Sequence, residues 1–233
     1  MYAGSVPSRR LLLVSATTLA AGAALPAWAR RLPAPTPAEI EGPFYPPEWP
    51  RAPADFSGLD DDADLLWVRG QTGFAAGVVL DLQGRVLDAS GSPLANVDVH
   101  VWQADDNGRY HHPGDTNPAA IDPRFQGFGR SVTDGDGRYR FRTIKPVPYP
   151  GRTPHIHFKL KDACSANLLT TQMYAAGDPR NAEDAIYQSV PEALRRTVTV
   201  RLRNAGHVRL AGERRRALRA AFDLVLGVTA CTA

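Results

Sequence analysis

The sequence predicts an all-β fold: an antiparallel β-sandwich core with irregular loops, preceded by an extended N-terminal arm. Three observations lead there. Short apolar runs recur from Gly73 onward with turn residues between them. Val97, Val99 and Val101 alternate with Asp98, His100 and Trp102, the two-residue period of a half-buried strand. Helical periodicity is scarce, and many short strands at such spacing favour two packed sheets over a bundle.

The elements follow in chain order. Ser8-Arg9-Arg10 opens an apolar run that reaches Pro26, just before Ala27-Trp28-Ala29. A charged start, an apolar middle and an A-x-A ending read as an export signal over residues 1–29. The paired arginines point to the twin-arginine route, so the expected location is periplasmic or secreted. An uncleaved anchor is the alternative reading, but the run is short for a span. Residues 30–72 are rich in proline and polar turns and read as the arm, with Glu41-Gly42-Pro43-Phe44-Tyr45 its most specific patch. Residues 73–233 form the sandwich domain. Val78-Val79-Leu80 and Val86-Leu87 flank Gln83-Gly84, which reads as punctuation, and Ala89-Ser90-Gly91-Ser92-Pro93 is a turn. Further strands are expected over 139–143, 155–160, 168–174, 197–203, 207–210 and 221–226. Residues 177–195 read as irregular with room for a short helix, and 211–220 as helix or loop. Asp134-Gly135-Asp136-Gly137 lacks the later glutamate of a calcium loop and reads as a hairpin turn.

Charge and cysteine content narrow the function classes. The formal charge is +3, and the first 29 residues hold Arg9 and Arg10 but no acid, so processing lowers it by two. Basic residues are scattered without an aromatic–basic platform, which excludes a nucleic-acid footprint. The run Arg214-Arg215-Arg216 with Arg219 reads as a solvated face. Past residue 29 no stretch is long and apolar enough for a stable membrane span. Cys164 and Cys231 are the only cysteines. Two permit one disulfide in an oxidising compartment, and neither has a metal-binding spacing.

The chemistry concentrates in Tyr110, Tyr149, His155 and His157. On a strand, alternate residues face opposite ways. Ile156, Phe158 and Leu160 would then enter the core while His155 and His157 project together from the other face. An isolated His-x-His is usually a polar surface strand. Tyr110 follows the turn signal Asp106-Asn107-Gly108, which would set it at the rim of the sandwich. Tyr149 lies between Pro148 and Pro150, whose rings stiffen the segment. A phenol ionises only near pH 10 in water, so phenolate ligation calls for a strong, hard Lewis acid, and ferric iron is the common biological metal that fits. Arg152, three residues before His155, is a candidate for stabilising negative charge on a substrate. Gln172, in Thr170-Thr171-Gln172-Met173-Tyr174, either donates into the pocket or pairs across a sheet. His100, His111, His112 and His207 lack a partner pattern and read as structural or exposed.

Taken together these segments resemble the intradiol ring-cleavage dioxygenases, the family of protocatechuate 3,4-dioxygenase and catechol 1,2-dioxygenase. The likeness runs from Gly84-Arg85-Val86-Leu87-Asp88 through Val101-Trp102-Gln103-Ala104-Asp105, Gly108-Arg109-Tyr110, Asp122-Pro123, Thr133-Asp134 and Tyr139-Arg140-Phe141-Arg142-Thr143-Ile144-Lys145-Pro146. It ends with His155-Ile156-His157-Phe158, and Gly42-Pro43-Phe44 adds a segment in the arm. The resemblance implies a β-sandwich holding one Fe(III) per chain. Tyr110 and His157 match the equatorial ligands, Tyr149 and His155 the axial ones. Arg152 and Gln172 match residues beside the substrate. It also implies a catechol-type substrate and O2 as reactants, a cis,cis-muconate-type product, and a homo-oligomer in keeping with family members that assemble. The segment between Tyr149 and His155 is shorter than in the protocatechuate enzymes, and the helical dimerisation region of the catechol enzymes is missing. Two rival readings share the strand pattern: an exported β-sandwich binding module without catalytic iron, and a copper or zinc hydrolase built on His155 and His157.

Overall fold

The computed structural model describes residues 32–46 and 62–227. The export-signal reading of residues 1–29 lies outside the described residues. Among the described residues ten strands build two sheets. They are β1 (Val79–Leu87), β2 (Asp98–Trp102), β3 (Phe128–Val132), β4 (Arg138–Ile144) and β5 (His155–Lys161), then β6 (Asn167–Ala175), β7 (Thr199–Val200), β8 (Arg203–Leu210), β9 (Glu213–Ala221) and β10 (Leu224–Val225). One sheet runs β10-β1-β9-β8, with β4 on the other edge of β1; the second runs β3-β2-β5-β6-β7.

Alternation along the strands makes the core. Leu80, Leu82 and Val86 from β1, Tyr139 and Phe141 from β4, Val99 and Val101 from β2 and Ile156, Phe158 and Leu160 from β5 meet in one buried cluster. Each such side chain contributes roughly 1.5–3 kcal/mol by leaving water. The opposite face of the second sheet is thereby committed to other residues. Its register puts Phe128, Trp102, His157 and Gln172 in one row across β3, β2, β5 and β6, and Tyr174 beside His155.

The sandwich holds, but its sheets are mixed, where the sequence led us to expect antiparallel pairing. β1 runs parallel to β9 and β10, and β6 parallel to β7. Hairpin signals report only local antiparallel neighbours, whereas parallel partners need a long connection. Residues 211–220, expected as helix or loop, mostly form β9. Ala217, Leu218 and Arg219 favour helix locally, but pairing with β1 and β8 overrides that preference. The strand expected over 197–203 splits. Helix α2 (Glu192–Val198) enters it, β7 takes two residues and β8 begins at Arg203. A single strand over 221–226 is likewise replaced by the end of β9 and by β10. The irregular 177–195 stretch holds a 3-10 turn (Pro179–Ala182) and helix α1 (Ala185–Ser189) as well as the start of α2. The Asp134–Gly137 turn is present, with Gly137 at φ 71°, but it carries the chain from one sheet to the other and is no hairpin.

Gly84 does not break β1. It sits inside the strand, opposite Tyr139, and a Cβ there would come within 1.9 Å of the Phe222 carbonyl oxygen. Glycine inside a strand marks such a close backbone approach. Gly84→Ala is expected to cost about 1–3 kcal/mol through overpacking, read as a lowered denaturation midpoint. An unchanged midpoint would show that β1 and the Phe222 backbone can separate freely.

Cys164 is disulfide-bonded; the other cysteine, Cys231, lies outside the described residues. Among the described residues no helix is long and apolar enough to cross a membrane.

Candidate metal centre

β5 supplies two imidazoles from one rigid element. His155 and His157 are both 3 % exposed and point away from the core. The backbone carbonyl of Thr153 lies 2.7 Å from His155 Nδ1, so that nitrogen carries the proton and Nε2 is left with a free lone pair. Trp102 stacks flat on the His157 ring at 4.7 Å between centroids.

Two turns deliver the phenols. Gly108, at φ 76°, closes the turn in which its N–H donates to the Asp105 carbonyl. Two residues later the Tyr110 N–H donates to Asp115 Oδ2 at 2.7 Å. The prolines on either side of Tyr149 lead into a second turn, closed by Arg152 N–H donating to the Tyr149 carbonyl and by Gly151 at φ 78°.

The four tips converge. His155 Nε2 lies 3.3 Å from Tyr110 Oη, 3.4 Å from Tyr149 Oη and 3.2 Å from His157 Nε2. First-row metal ions bind nitrogen and oxygen at roughly 2.0–2.2 Å, which leaves neighbouring donors about 3.0–3.5 Å apart. The spacing therefore fits one shared cation. Protons fit less well, because His155 Nε2 is crowded by three polar atoms at once. The donor set is two imidazoles and two phenols; among the described residues no group of three or more His, Cys, Asp or Glu is placed to hold a metal.

The electrostatics agree. Burial, then the Arg152 charge, pushes the His155 imidazole down to about 3 despite the Thr153 hydrogen bond. Burial, His155 and Arg152 push His157 well below its usual value. Both rings are neutral, as ligands must be. Burial holds the Tyr110 phenol well above its ordinary value, and the neighbouring Tyr149 adds to this. Burial also raises Tyr149, with Arg152 opposing. Both shifts disfavour the phenolate form in this cage, where a bound cation would favour it.

Arg152 is held by three contacts. Its Nε donates to Asp184 Oδ2 at 2.9 Å, Nη1 to Tyr149 Oη at 3.2 Å and Nη2 to Gln172 Oε1 at 2.6 Å. Asp184 also accepts the N–H groups of Ile186, Tyr187 and Thr153. Burial would raise its carboxyl, but the Tyr187 and Thr153 hydrogen bonds and then Arg152 outweigh burial and keep it below the usual carboxylate range.

The arm is laid over this face. Glu39 N–H donates to the Thr170 carbonyl of β6, Gln172 Nε2 to the Ile40 carbonyl, and Lys159 to Glu41. Phe44 stacks on Tyr110 at 4.6 Å, and Tyr45 meets the edge of Trp102 at 4.9 Å.

The structure thus brings together Tyr110, Tyr149, His155 and His157, with Arg152 and Gln172 beside them. His100 and His111 are buried away from the cage, against Asp98 and Asp105 respectively, and His207 lies near Arg214 on the far hairpin. Sequence reasoning missed Trp102, Tyr174, Glu39 and Asp184. The first two sit directly opposite His157 and His155 in neighbouring strands, so strand alternation could have placed them on the histidine face. No local signal marks Glu39 or Asp184.

Residues 40–227 match a family model described as Dioxygenase. The chain is 47 % identical over 141 residues to the protocatechuate 3,4-dioxygenase beta chain of Burkholderia cepacia, covering 58 % of this chain and 60 % of that one. It is 32 % identical over 170 residues to the catechol 1,2-dioxygenase of Acinetobacter baylyi, covering 65 % of this chain and 50 % of the relative. These matches thus span 60 % and 50 % of the relatives' own lengths. Among solved structures, the dioxygenase domain of a dioxygenase–carbohydrate-binding fusion from Streptomyces sp. SirexAA-E superposes with TM-score 0.60 at 32 % identity. That match covers 84 % of this chain and 100 % of the other.

Proposed function

The chain belongs to the intradiol ring-cleavage dioxygenase family, and from that premise we propose that it holds one ferric ion between Tyr110, Tyr149, His155 and His157 and opens catechol-type rings with O2. The bond broken is the one between the two hydroxyl-bearing carbons, and the product is of the cis,cis-muconate type. The observation that carries this reading is the convergence of the buried Tyr110 and half-buried Tyr149 hydroxyls and of His157 Nε2 to within 3.2–3.4 Å of His155 Nε2.

Bound there, ferric iron would supply a hard Lewis acid that stabilises phenolate and catecholate oxygens and draws electron density from the ring. The protein does the rest. As a phenolate, Tyr149 Oη would accept the proton of a substrate hydroxyl, while Arg152 Nη1 donates to the same oxygen. The Arg152 guanidinium then stands where negative charge grows on the ring, and Asp184 and Gln172 keep it from turning away. A cleft of about 500 Å³ lined by Pro148, Tyr149, Gly151, Arg152 and Asp184 gives access to this side of the cage. A larger cleft, about 700 Å³, lies against β8 and β9 and holds none of the four donors. Phe44 and Tyr45 from the arm pack on the opposite side, against Tyr110 and Trp102. The proposal extends to location: Arg9-Arg10 and Ala27-Trp28-Ala29 support export of the folded protein by the twin-arginine route.

The test is oxygen uptake by iron-loaded protein over a panel of catechols. The expected result is one O2 consumed per ring opened and a muconate-type product. A yellow semialdehyde would place cleavage outside the diol, and protein that binds catechols without consuming oxygen would favour the binding module.

A further inference from the structure

We propose that Glu39, carried by the N-terminal arm, is a positioning residue for ring opening: acting through Tyr174 and Gln172, it sets the aim of the Arg152 guanidinium. The inference rests on the function proposed above and adds a residue from outside the sandwich.

The contacts form one chain. Glu39 Oε2 accepts the Tyr174 hydroxyl at 2.5 Å, and Oε1 accepts the Gln172 backbone N–H at 3.3 Å. The same Tyr174 hydroxyl lies 3.3 Å from Gln172 Oε1, the atom that accepts Arg152 Nη2 at 2.6 Å. Tyr174 has one hydroxyl proton. While Glu39 is ionised, that proton is drawn to the carboxylate and Gln172 Oε1 is left to Arg152. Once Glu39 is protonated, its own hydroxyl donates to Tyr174 Oη. The Tyr174 proton then turns to Gln172 Oε1 and competes with Arg152.

A simpler role, pinning the arm, does not call for a charge. The Glu39 N–H to the Thr170 carbonyl and Gln172 Nε2 to the Ile40 carbonyl already pin it with neutral groups. The groups facing the carboxylate are Tyr174, Thr171 and Gln172, with Arg152 acting at longer range; Glu41 is engaged with Lys159 instead. Burying a carboxylate with no cation in contact is costly. That burial lifts the Glu39 carboxyl to about 7, against the hydrogen bonds from Tyr174, Gln172 and Thr171.

The experiment compares wild type, Glu39→Gln, Tyr174→Phe and the double variant, all iron-loaded, over pH 5–9. For Glu39→Gln we expect kcat at pH 8 to fall on the order of tenfold and the wild-type rise in kcat near neutral pH to vanish. If Glu39 acts through Tyr174, the double variant is no slower than the slower single one. Metal-free protein gives a readout independent of turnover. The folded-state value of Glu39 is raised, so its contribution to stability is complete below about 4.5 and is lost as pH rises through about 7. Wild type should therefore lose thermal stability over that window relative to Glu39→Gln. An active wild type whose kcat and pH profile survive Glu39→Gln, or whose two substitutions multiply, overturns the inference alone. A wild type that opens no catechol overturns the function beneath it as well.

Discussion

His157→Ala is expected to empty the proposed iron cage and abolish turnover. His157 Nε2 lies 3.2 Å from His155 Nε2, which the Tyr110 and Tyr149 hydroxyls also approach, and Trp102 stacks on one face of its ring. Alanine leaves three donors and a gap beside a buried, neutral His155. A ligand lost from a built site removes several kcal/mol of charge stabilisation, so kcat/KM should fall by at least about 1,000-fold. Bound iron, measured on dialysed protein, should fall with it. The fold should survive, because Ile156 and Phe158 on the opposite face of β5 carry the core contacts. Retention of both iron and turnover would show that His157 is only a buried polar residue.

Arg152→Lys is expected to lower kcat about 100-fold while iron content stays at the wild-type level. Lysine keeps the charge but cannot reach Asp184, Tyr149 and Gln172 together, as the planar guanidinium does. Losing one placed stabiliser of developing charge costs on the order of 100- to 1,000-fold, and the retained ammonium puts the expectation at the lower end. Asp184 keeps three backbone N–H donors without Arg152, so the penalty for a stranded buried charge is limited. The kinetics identify the role. A fall in kcat at near-constant KM means Arg152 acts on the reacting ring, whereas a rise in KM alone would make it a binding contact.

The parts of this site that were legible in the sequence are those written in local patterns. The alternation of His155 and His157 with Ile156, Phe158 and Leu160 separates a chemical face from a core face within one strand: the three apolar side chains join the core cluster, and the two histidines, just as buried, do not. Asp106-Asn107-Gly108 announces the turn before Tyr110, and flanking prolines announce the one at Tyr149. What could not be read depends on partners distant in sequence. Glu39 means something only once the arm lies across β6, and Asp184 only once α1 starts beside Arg152. β9 was misread for the same reason. Its alanines, leucine and arginines carry no two-residue period, and it becomes a strand because β1 and β8 supply its hydrogen bonds. Gly84 looked like punctuation because the Phe222 carbonyl that excludes a side chain there comes from the far end of the chain.

The visible spectrum of iron-loaded protein tests the central claim most directly. Phenolate bound to ferric iron absorbs visible light by charge transfer, so the wild type should be wine-red, and Tyr110→Phe and Tyr149→Phe should each weaken or shift that band at unchanged protein concentration. Protein that carries stoichiometric iron yet stays colourless, or keeps its band in both variants, would contradict a metal centre built from these two tyrosines.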